Sequence, residues 1–360
     1  MEAQRTGFSV KYEEPEEEAL SEKEKRLPFE LKRRVLLVRR DIPTDENFGC
    51  CPEKRSVQEL INFGVINLDK PSGPTSHQVS DYLQRILGIE KAGHSGTLDP
   101  KVTGVLPIAL GNATRLAHLL LTAGKEYVTL MHLHSDVSEE EIRMKLSEFV
   151  GVINQKPPVR SAVKRVFRKR SDYYIDVMEV DGRDILFRIG CEAGTYIRKF
   201  IYDFGEKNCW GASMSQLRRT RVAHFTDKEL FTLQDVADAF WFWREEGNET
   251  FIRKAIKPAE HILDCLPKIY VSDNAVDTLC HGANLNVPGI ARLESGISPE
   301  DTVAVLTLKG EAVCYGTAKM DSDSILASEH GFAVKTDKVF MQSGTYPAAQ
   351  KSENAQSQNL

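Results

Sequence analysis

The chain has 360 residues, 41% of them apolar and 28% charged, and its 47 Lys and Arg against 52 Asp and Glu give a formal net charge of −5. That length exceeds one typical domain and predicts two compact units plus an extension, while no apolar run approaches the roughly 20 residues of a membrane helix, so a soluble protein is expected. The acidic sum argues mildly against a general nucleic-acid binder, but net charge averages over segments of opposite sign.

The opening MEAQRTGFSVKYEEPEEEALSEKEK has neither the apolar core of a secretory signal nor the Arg-rich, acid-poor character of a transit peptide, so cytoplasmic residence is expected. Residues 1–27 are too poor in apolar surface to offset ordering entropy and are expected to be flexible. The seven cysteines include no C-x-x-C pair, and Cys50 and Cys51 are adjacent, which predicts reduced thiols rather than a disulfide framework or a zinc site. Residues 28–60, with the apolar run Val35–Val38 and the turn-rich DIPTDENFGCCPEK, predict a short strand in an ordered arm.

GVINLD, from Gly64, predicts a strand, followed by a Pro/Gly-rich loop and a helix capped by Ser76. Val79, Tyr82, Leu83, Ile86 and Leu87 give that helix one apolar face and Gly88 its stop. VLPIAL predicts a buried strand, NATRLAHLLL a helix and KEYVTLMHLH a strand. Ser138 and Glu141 form a predicted capping box for a helix running to Gly151, and DYYIDVMEV and ILFRIGCE flank an Asp-Gly hairpin turn. Two further helices lie in TYIRKFIYDFGEK and TLQDVADAFWFWREEG, with Trp241 and Trp243 expected to pack rather than bind a ligand. After Pro267, a helix near Asn274–Cys280 precedes short strands joined by Gly turns, the pattern of a small β-barrel.

Between Gly93 and Gly104, GHSGTLDPKVTG places three glycines around one carboxylate, Asp99, in a loop whose backbone can approach a ligand closely. No Gly-Lys-Ser/Thr follows, and G-x-G-x-x-G is absent, so neither phosphate-loop nor dinucleotide chemistry fits. Taken by itself, Asp99 also fits the ordinary structural use of Asp-Pro in a turn. His94 has no second ligand at metal spacing, and a phosphate contact or loop hydrogen bond is expected of it.

GVINLDKPSGPTSH, KAGHSGTLDPKVTGVLPIALGNATRL, GKEYV, GTYIRK and LRRTR occur in this order, and they resemble the ordered motifs of TruB-type pseudouridine synthases. QKPPVRSAVKR, the arm FGCCPEKRS and the C-terminal barrel narrow the resemblance to the archaeal and eukaryotic dyskerin branch, which works with H/ACA guide RNA. It covers nearly everything after Leu27. The implied fold is α+β: a mixed, mainly antiparallel synthase sheet flanked by helices over residues 61–266, a small β-barrel PUA domain over 267–346, and a flexible tail over 347–360. CHGANL most closely resembles the RNA-gripping edge of a PUA domain.

The resemblance implies that Asp99 is the catalytic residue and that no metal or organic cofactor takes part. Uridine becomes pseudouridine when the C1'–N1 bond breaks, the uracil turns while bound and C5 joins C1', with no net redox change. A carboxylate, ionised at neutral pH, can act there as nucleophile or remove a sugar proton. An unpaired buried carboxylate is costly, and Arg198 resembles the family's Asp-pairing arginine; a helix-surface Arg is the bland alternative. Tyr127 matches a tyrosine that stacks on the target base, against a packed strand residue. His77 matches a position associated with base extrusion, against a capping role, and Lys70 resembles a motif lysine expected to give structural support. Leu217 fits the apolar wall of the uracil pocket, with Arg218, Arg219 and Arg221 placed for phosphates or simply forming a basic surface strand.

Lys156, Arg160, Lys164, Arg165, Arg168, Lys169 and Arg170 form a basic run uninterrupted by any acid. A solvated face is the ordinary reading of such a run; beside a base-handling site in an acidic protein, RNA contact is expected. The implied partners are tRNA, rRNA and H/ACA guide RNA, with a small zinc-ribbon protein, a β-barrel protein and a kink-turn RNA binder; no membrane is involved, and the chain is otherwise expected to be monomeric. Two alternatives stand beside catalysis: a non-catalytic RNA-binding scaffold of such a particle, and an aspartate-dependent nucleoside hydrolase. The hydrolase lacks a convincing second carboxylate.

Overall fold

Two stretches rich in β-branched and apolar residues with short turns build two sheets. The computed structural model describes residues 25–157, 164 and 166–348. Most of the acidic extension, the tail from 349 onward, Arg160 and Arg165 lie outside the described residues. The strands in chain order are β1 (Leu36–Val38), β2 (Gly64–Lys70), β3 (Ala92–His94), β4 (Thr103–Leu110), β5 (Lys125–Leu133), β6 (Gly151–Gln155), β7 (Arg168–Asp181), β8 (Asp184–Cys191) and β9 (Ala212–Val222). They continue as β10 (Phe225–Thr226), β11 (Lys257–Pro258), β12 (Lys268–Val271), β13 (Leu285–Asn286), β14 (Ile290–Glu294), β15 (Thr302–Thr307), β16 (Ala312–Ala318) and β17 (Phe332–Val339). Among the described residues no helix is long and apolar enough to cross a membrane.

The larger sheet has ten strands, its main path running β11-β2-β4-β9-β5-β8-β7-β6, with β3 on β4 and β10 on β9. Its pairs are antiparallel except β4 with β9. The helix Ser76–Leu87 buries Val79, Leu83 and Leu87 against this sheet's β2 and β4 residues. At about 1.5–3 kcal/mol per buried aliphatic side chain, that face outweighs a cap worth about 1 kcal/mol, so packing fixes the helix and the cap selects its first turn. The cap is Thr75, whose side chain accepts from the Gln78 N–H, rather than Ser76, and Gly88 ends the helix at φ +64°. Tyr82 is exposed although it falls on the expected apolar face, and Trp241 is likewise exposed while Trp243 packs on the core.

NATRLAHLLL divides into a 3₁₀ turn, Gly111–Arg115, and a short helix, Ala117–Leu121. Ser138 caps the next helix by accepting from the Glu141 N–H, without the reciprocal Glu141 bond of the expected capping box, and that helix ends at Ser147 while Gly151 begins β6. The hairpin of β7 and β8 turns at Gly182 with φ +55°.

The second sheet has seven strands in the order β1-β14-β12-β15-β16-β17-β13, curling around a core that includes Ile269, Val271, Leu293, Val305 and Val313. β1 joins it as an outer strand, with Leu37 opposite Leu293, so the N-terminal arm packs on the C-terminal unit. Within the stretch expected to be flexible, Leu27 is fully buried and Lys25 pairs with Asp176 at 2.7 Å. The two sheets share one apolar seam, in which Val65, Val105, Leu116 and Ile262 cluster with Ala304, Leu306, Ala312 and Phe340. All seven cysteines are free thiols.

Gly104 shows how tightly the parallel β4–β9 contact is drawn. Its φ is +104°, and a Cβ there would lie 2.1 Å from the Arg219 carbonyl oxygen. Gly104→Ala is therefore expected to cost about 2–4 kcal/mol of stability, read as a lowered urea midpoint at unchanged slope. A midpoint equal to wild type would contradict this packing.

Candidate active site

The loop between β3 and β4 is held in place from beneath. Lys70, at the end of β2, is fully buried, and its ammonium donates to the carbonyls of Pro71 at 2.8 Å, Pro100 at 3.0 Å and Val102 at 2.9 Å. Burial pushes its pKa down, and the charge of Asp99 pulls it back up. Ser76 Oγ accepts from the Leu98 N–H at 2.9 Å, the Ser95 N–H donates to Pro107 O at 3.0 Å, and Leu98 is itself buried. The residues on either side of Asp99 are thus fixed, and its carboxylate is carried on a clamped turn closed by the Val102 N–H to the Asp99 carbonyl at 3.0 Å. The turn use of Asp-Pro and an outward-facing carboxylate coexist at this position.

Arg198, in the first turn of the helix Ile197–Lys207, donates to Asp99 Oδ2 at 2.5 Å. Both side chains are more than half exposed, so the expectation of a buried carboxylate is corrected: the pair stands at an open mouth, where an ion pair contributes only about 0–1 kcal/mol. The pairing orients the carboxylate more than it stabilises the fold. Gln155 fixes the approach to this helix by donating to Tyr196 O at 3.0 Å and accepting from Tyr196 N–H at 2.8 Å.

Tyr127 of β5 lies opposite Arg219 of β9, and Thr129 opposite Leu217. Residues paired across antiparallel strands, and those two apart along one, share a face, so Tyr127, Leu217 and Arg219 line one wall. Arg219 is 1% exposed; it donates to Val105 O at 2.7 Å and Gly96 O at 3.2 Å and hydrogen-bonds the Tyr127 hydroxyl. Burial raises the Tyr127 pKa while Arg219 lowers it. Beside them, buried Lys125 donates to the carbonyls of Leu120, Leu121 and Ala123; its pKa is pulled down to about 7 by burial and by Arg219.

The three arginines expected at phosphates are largely engaged elsewhere. Arg219 is buried, Arg218 forms a two-point pair with Asp69 at 3.1 Å, and Arg221 pairs with Glu30. The physical reason is that Arg219 projects into the packed interior, while the partly exposed Arg218 and Arg221 find carboxylates on β2 and on the N-terminal arm. His77 and His94 come together, ring centroids 4.8 Å apart and edge to face; burial, then His77 and Arg219, lowers the His94 pKa.

In the basic run, Lys164 and Lys169 are exposed, Lys156 lies 5.5 Å over the Phe167 ring, and Arg168 is half-buried. Arg170 is tied to Glu192 at 3.2 Å, so the run that lacks acids in sequence meets one in space. Arg160 and Arg165 fall outside the described residues. Sequence reasoning missed Ser76 as a loop anchor, Lys125, Gln155 and Asp69. Ser76, Asp69 and Lys125 lie inside the motifs, but their buried hydrogen bonds have no periodic signature.

Comparisons with known proteins place these motifs. The TruB family pseudouridylate synthase N-terminal domain matches residues 84–197, the tRNA pseudouridylate synthase B C-terminal domain residues 198–264, the PUA domain residues 267–340 and the DKCLD domain residues 24–80. The chain is 54% identical to a probable tRNA pseudouridine synthase B of Methanopyrus kandleri, covering 91% of this chain and 97% of the relative. It is 53% identical to that of Pyrococcus furiosus over 89% of this chain and 95% of the relative. Among solved structures, a chain of a Cbf5-Nop10-Gar1 complex superposes with TM-score 0.85 at 52% identity, covering 90% of this chain and 99% of that one. A chain of an H/ACA RNP bound to a substrate RNA containing 2'-deoxyuridine gives 0.84 at 49% identity, covering 90% and 100%. With more than half of the residues identical across nearly the full length of such relatives, the chain belongs to the TruB family of pseudouridylate synthases.

Proposed function

We propose that this chain isomerises uridines in RNA with Asp99 as the catalytic carboxylate, working in a particle that contains an H/ACA guide RNA and proteins akin to Nop10 and Gar1. The observation that carries the reading is the fixed, outward carboxylate: Asp99 is oriented by Arg198 and flanked by carbonyls clamped to Lys70, next to the wall formed by Tyr127 and Leu217. A base taken out of its stack needs a flat apolar surface, and a reacting carboxylate must come within about 3–3.5 Å of its target atom. The exposed mouth supports entry of an extruded nucleotide, and exposed Lys164 and Lys169 support salt-dependent phosphate contact. Cytoplasmic residence, and action on a tRNA uridine without guide, belong to the same reading.

In this mechanism C1'–N1 breaks, the uracil turns on Tyr127, C5 bonds to C1', and the C5 proton leaves while N1 gains one. RNA labelled with tritium at uridine C5 therefore reports each turnover as released tritium. Release matching pseudouridine formed is expected with a tRNA transcript alone or with guide RNA, target and partner proteins. Absence of release in both arms would overturn catalysis and leave the scaffold.

The Tyr127 hydroxyl meets Arg219 while its ring forms the wall. Tyr127→Phe is expected to lose about 10-fold in rate and Tyr127→Ala about 10²-fold or more, since stacking is worth about 1–3 kcal/mol per base. Equal rates for the two variants in single-turnover assays would contradict the stacking role.

A further inference from the structure

A second cluster lies away from Asp99, where the catalytic sheet passes into the chain that leads to the C-terminal sheet. Ala223, between β9 and β10, holds φ +50°, uncommon for a residue with a side chain, and the turn brings His224 to His261, ring centroids 4.8 Å apart. His261 and Asp264 are three residues apart in the 3₁₀ segment Ala259–Cys265, and a 3₁₀ helix stacks side chains at that spacing. One ligand atom each of His224, His261 and Asp264 lie within 4.8 Å of one another.

Both ring nitrogens of His224 are shielded from solvent and make no hydrogen bond of normal geometry among the described residues, although the His261 backbone lies close to the ring. A buried polar atom left in that state is costly, so a group that engages it is wanting. His261 Nδ1 lies 2.6 Å from Asp264 Oδ2, and Asp264 Oδ1 lies 2.7 Å from Lys268 Nζ. The carboxylate is thus already aimed at the histidines, with one lysine competing for it.

We propose that His224, His261 and Asp264 bind a divalent transition metal of the zinc class, which staples the β9–β10 turn to the segment entering the second sheet. Two imidazoles and a carboxylate suit such an ion rather than magnesium or calcium. Tetrahedral zinc at about 2.0–2.1 Å from each ligand sets ligand atoms about 3.4 Å apart, reached here by small side-chain rotations, with solvent as fourth ligand. Because His224 lies at the β9–β10 turn and Asp264 in the 3₁₀ segment four residues before β12, binding stabilises the junction and takes no part in the chemistry at Asp99.

The test uses the full chain, stripped with a chelator and titrated with Co2+ by visible absorption and with Zn2+ by chelator competition. One equivalent with a tetrahedral cobalt spectrum is expected, along with a rise of several degrees in Tm on adding Zn2+. His261→Gln and His224→Phe, each folded by circular dichroism, are expected to bind at least about 100-fold more weakly and to lose the Tm response while keeping pseudouridine formation. Lys268→Met frees Asp264 Oδ1 and removes a competing cation, so it is expected to tighten binding severalfold. Binding unchanged in His261→Gln, no binding by wild type, or a thiolate-to-cobalt charge-transfer band marking ligation by cysteines would each overturn the site.

Discussion

Asp99→Asn is expected to abolish pseudouridine formation, by at least about 10³-fold in single-turnover rate, while leaving Tm and RNA affinity close to wild type. The amide keeps the size and can still accept from Arg198, but it neither attacks as a nucleophile nor removes a proton, functions worth about 10²–10⁴-fold or more. The fold is spared because the Asp99–Arg198 pair is more than half exposed, where ion pairs contribute about 0–1 kcal/mol. The loop is held instead by Lys70 and Ser76. Tritium release together with thermal unfolding checks both halves, and an Asn variant that turns over at the wild-type rate would refute the role of Asp99.

Lys70→Met should act in the opposite manner, on structure first. The ammonium satisfies three carbonyls in a site from which water is excluded, and methionine fills similar volume without donating. Charge-assisted bonds contribute about 1.5–3 kcal/mol each, against which the cost of burying the ammonium is recovered, so a net loss of about 3 kcal/mol is expected. Because the Pro100 and Val102 carbonyls lie one and three residues after Asp99, the rate should fall even at temperatures where the variant is folded. Urea unfolding and tritium release measure the two effects. A variant as stable as wild type would show that the clamp does not hold the loop.

Much of the catalytic unit was legible because its elements carry strong local signals. The apolar spacing Val79, Leu83, Leu87 and the stop at Gly88 define one helix, and the Asp-Gly turn defines the hairpin of β7 and β8. Misreadings arose where local rules are degenerate or where neighbours distant in sequence decide. A Thr-Ser pair gives two possible caps, and the structure uses Thr75 for the helix and frees Ser76 to hold Leu98. So short a stretch does not distinguish a 3₁₀ turn from an α-helix, and the helix expected from Asn112 begins instead within the 3₁₀ turn Gly111–Arg115.

The arginines of LRRTR illustrate the larger difficulty. As a sequence they look like a basic surface strand, but the fold turns Arg219 inward beside Val105 of β4 and gives Arg218 and Arg221 carboxylate partners in Asp69 of β2 and Glu30 of the N-terminal arm. Those neighbours are 114 to 191 residues away in the chain, beyond any periodicity. The same holds for Asp99 and Arg198, which were matched through resemblance rather than spacing and which the fold brings to 2.5 Å. His224, His261 and Asp264 went unread as possible ligands because a turn and a 3₁₀ segment, not a compact motif, unite them.

A crystal structure of the protein with guide RNA and a non-reactive target RNA measures the central claim directly, as the distance from the Asp99 carboxylate to the target nucleotide. The account predicts an extruded nucleotide on the Tyr127–Leu217 wall with its C1' or a base carbon within about 3.5 Å of that carboxylate. A target nucleotide seated elsewhere, with Asp99 facing only solvent and Arg198, would contradict it.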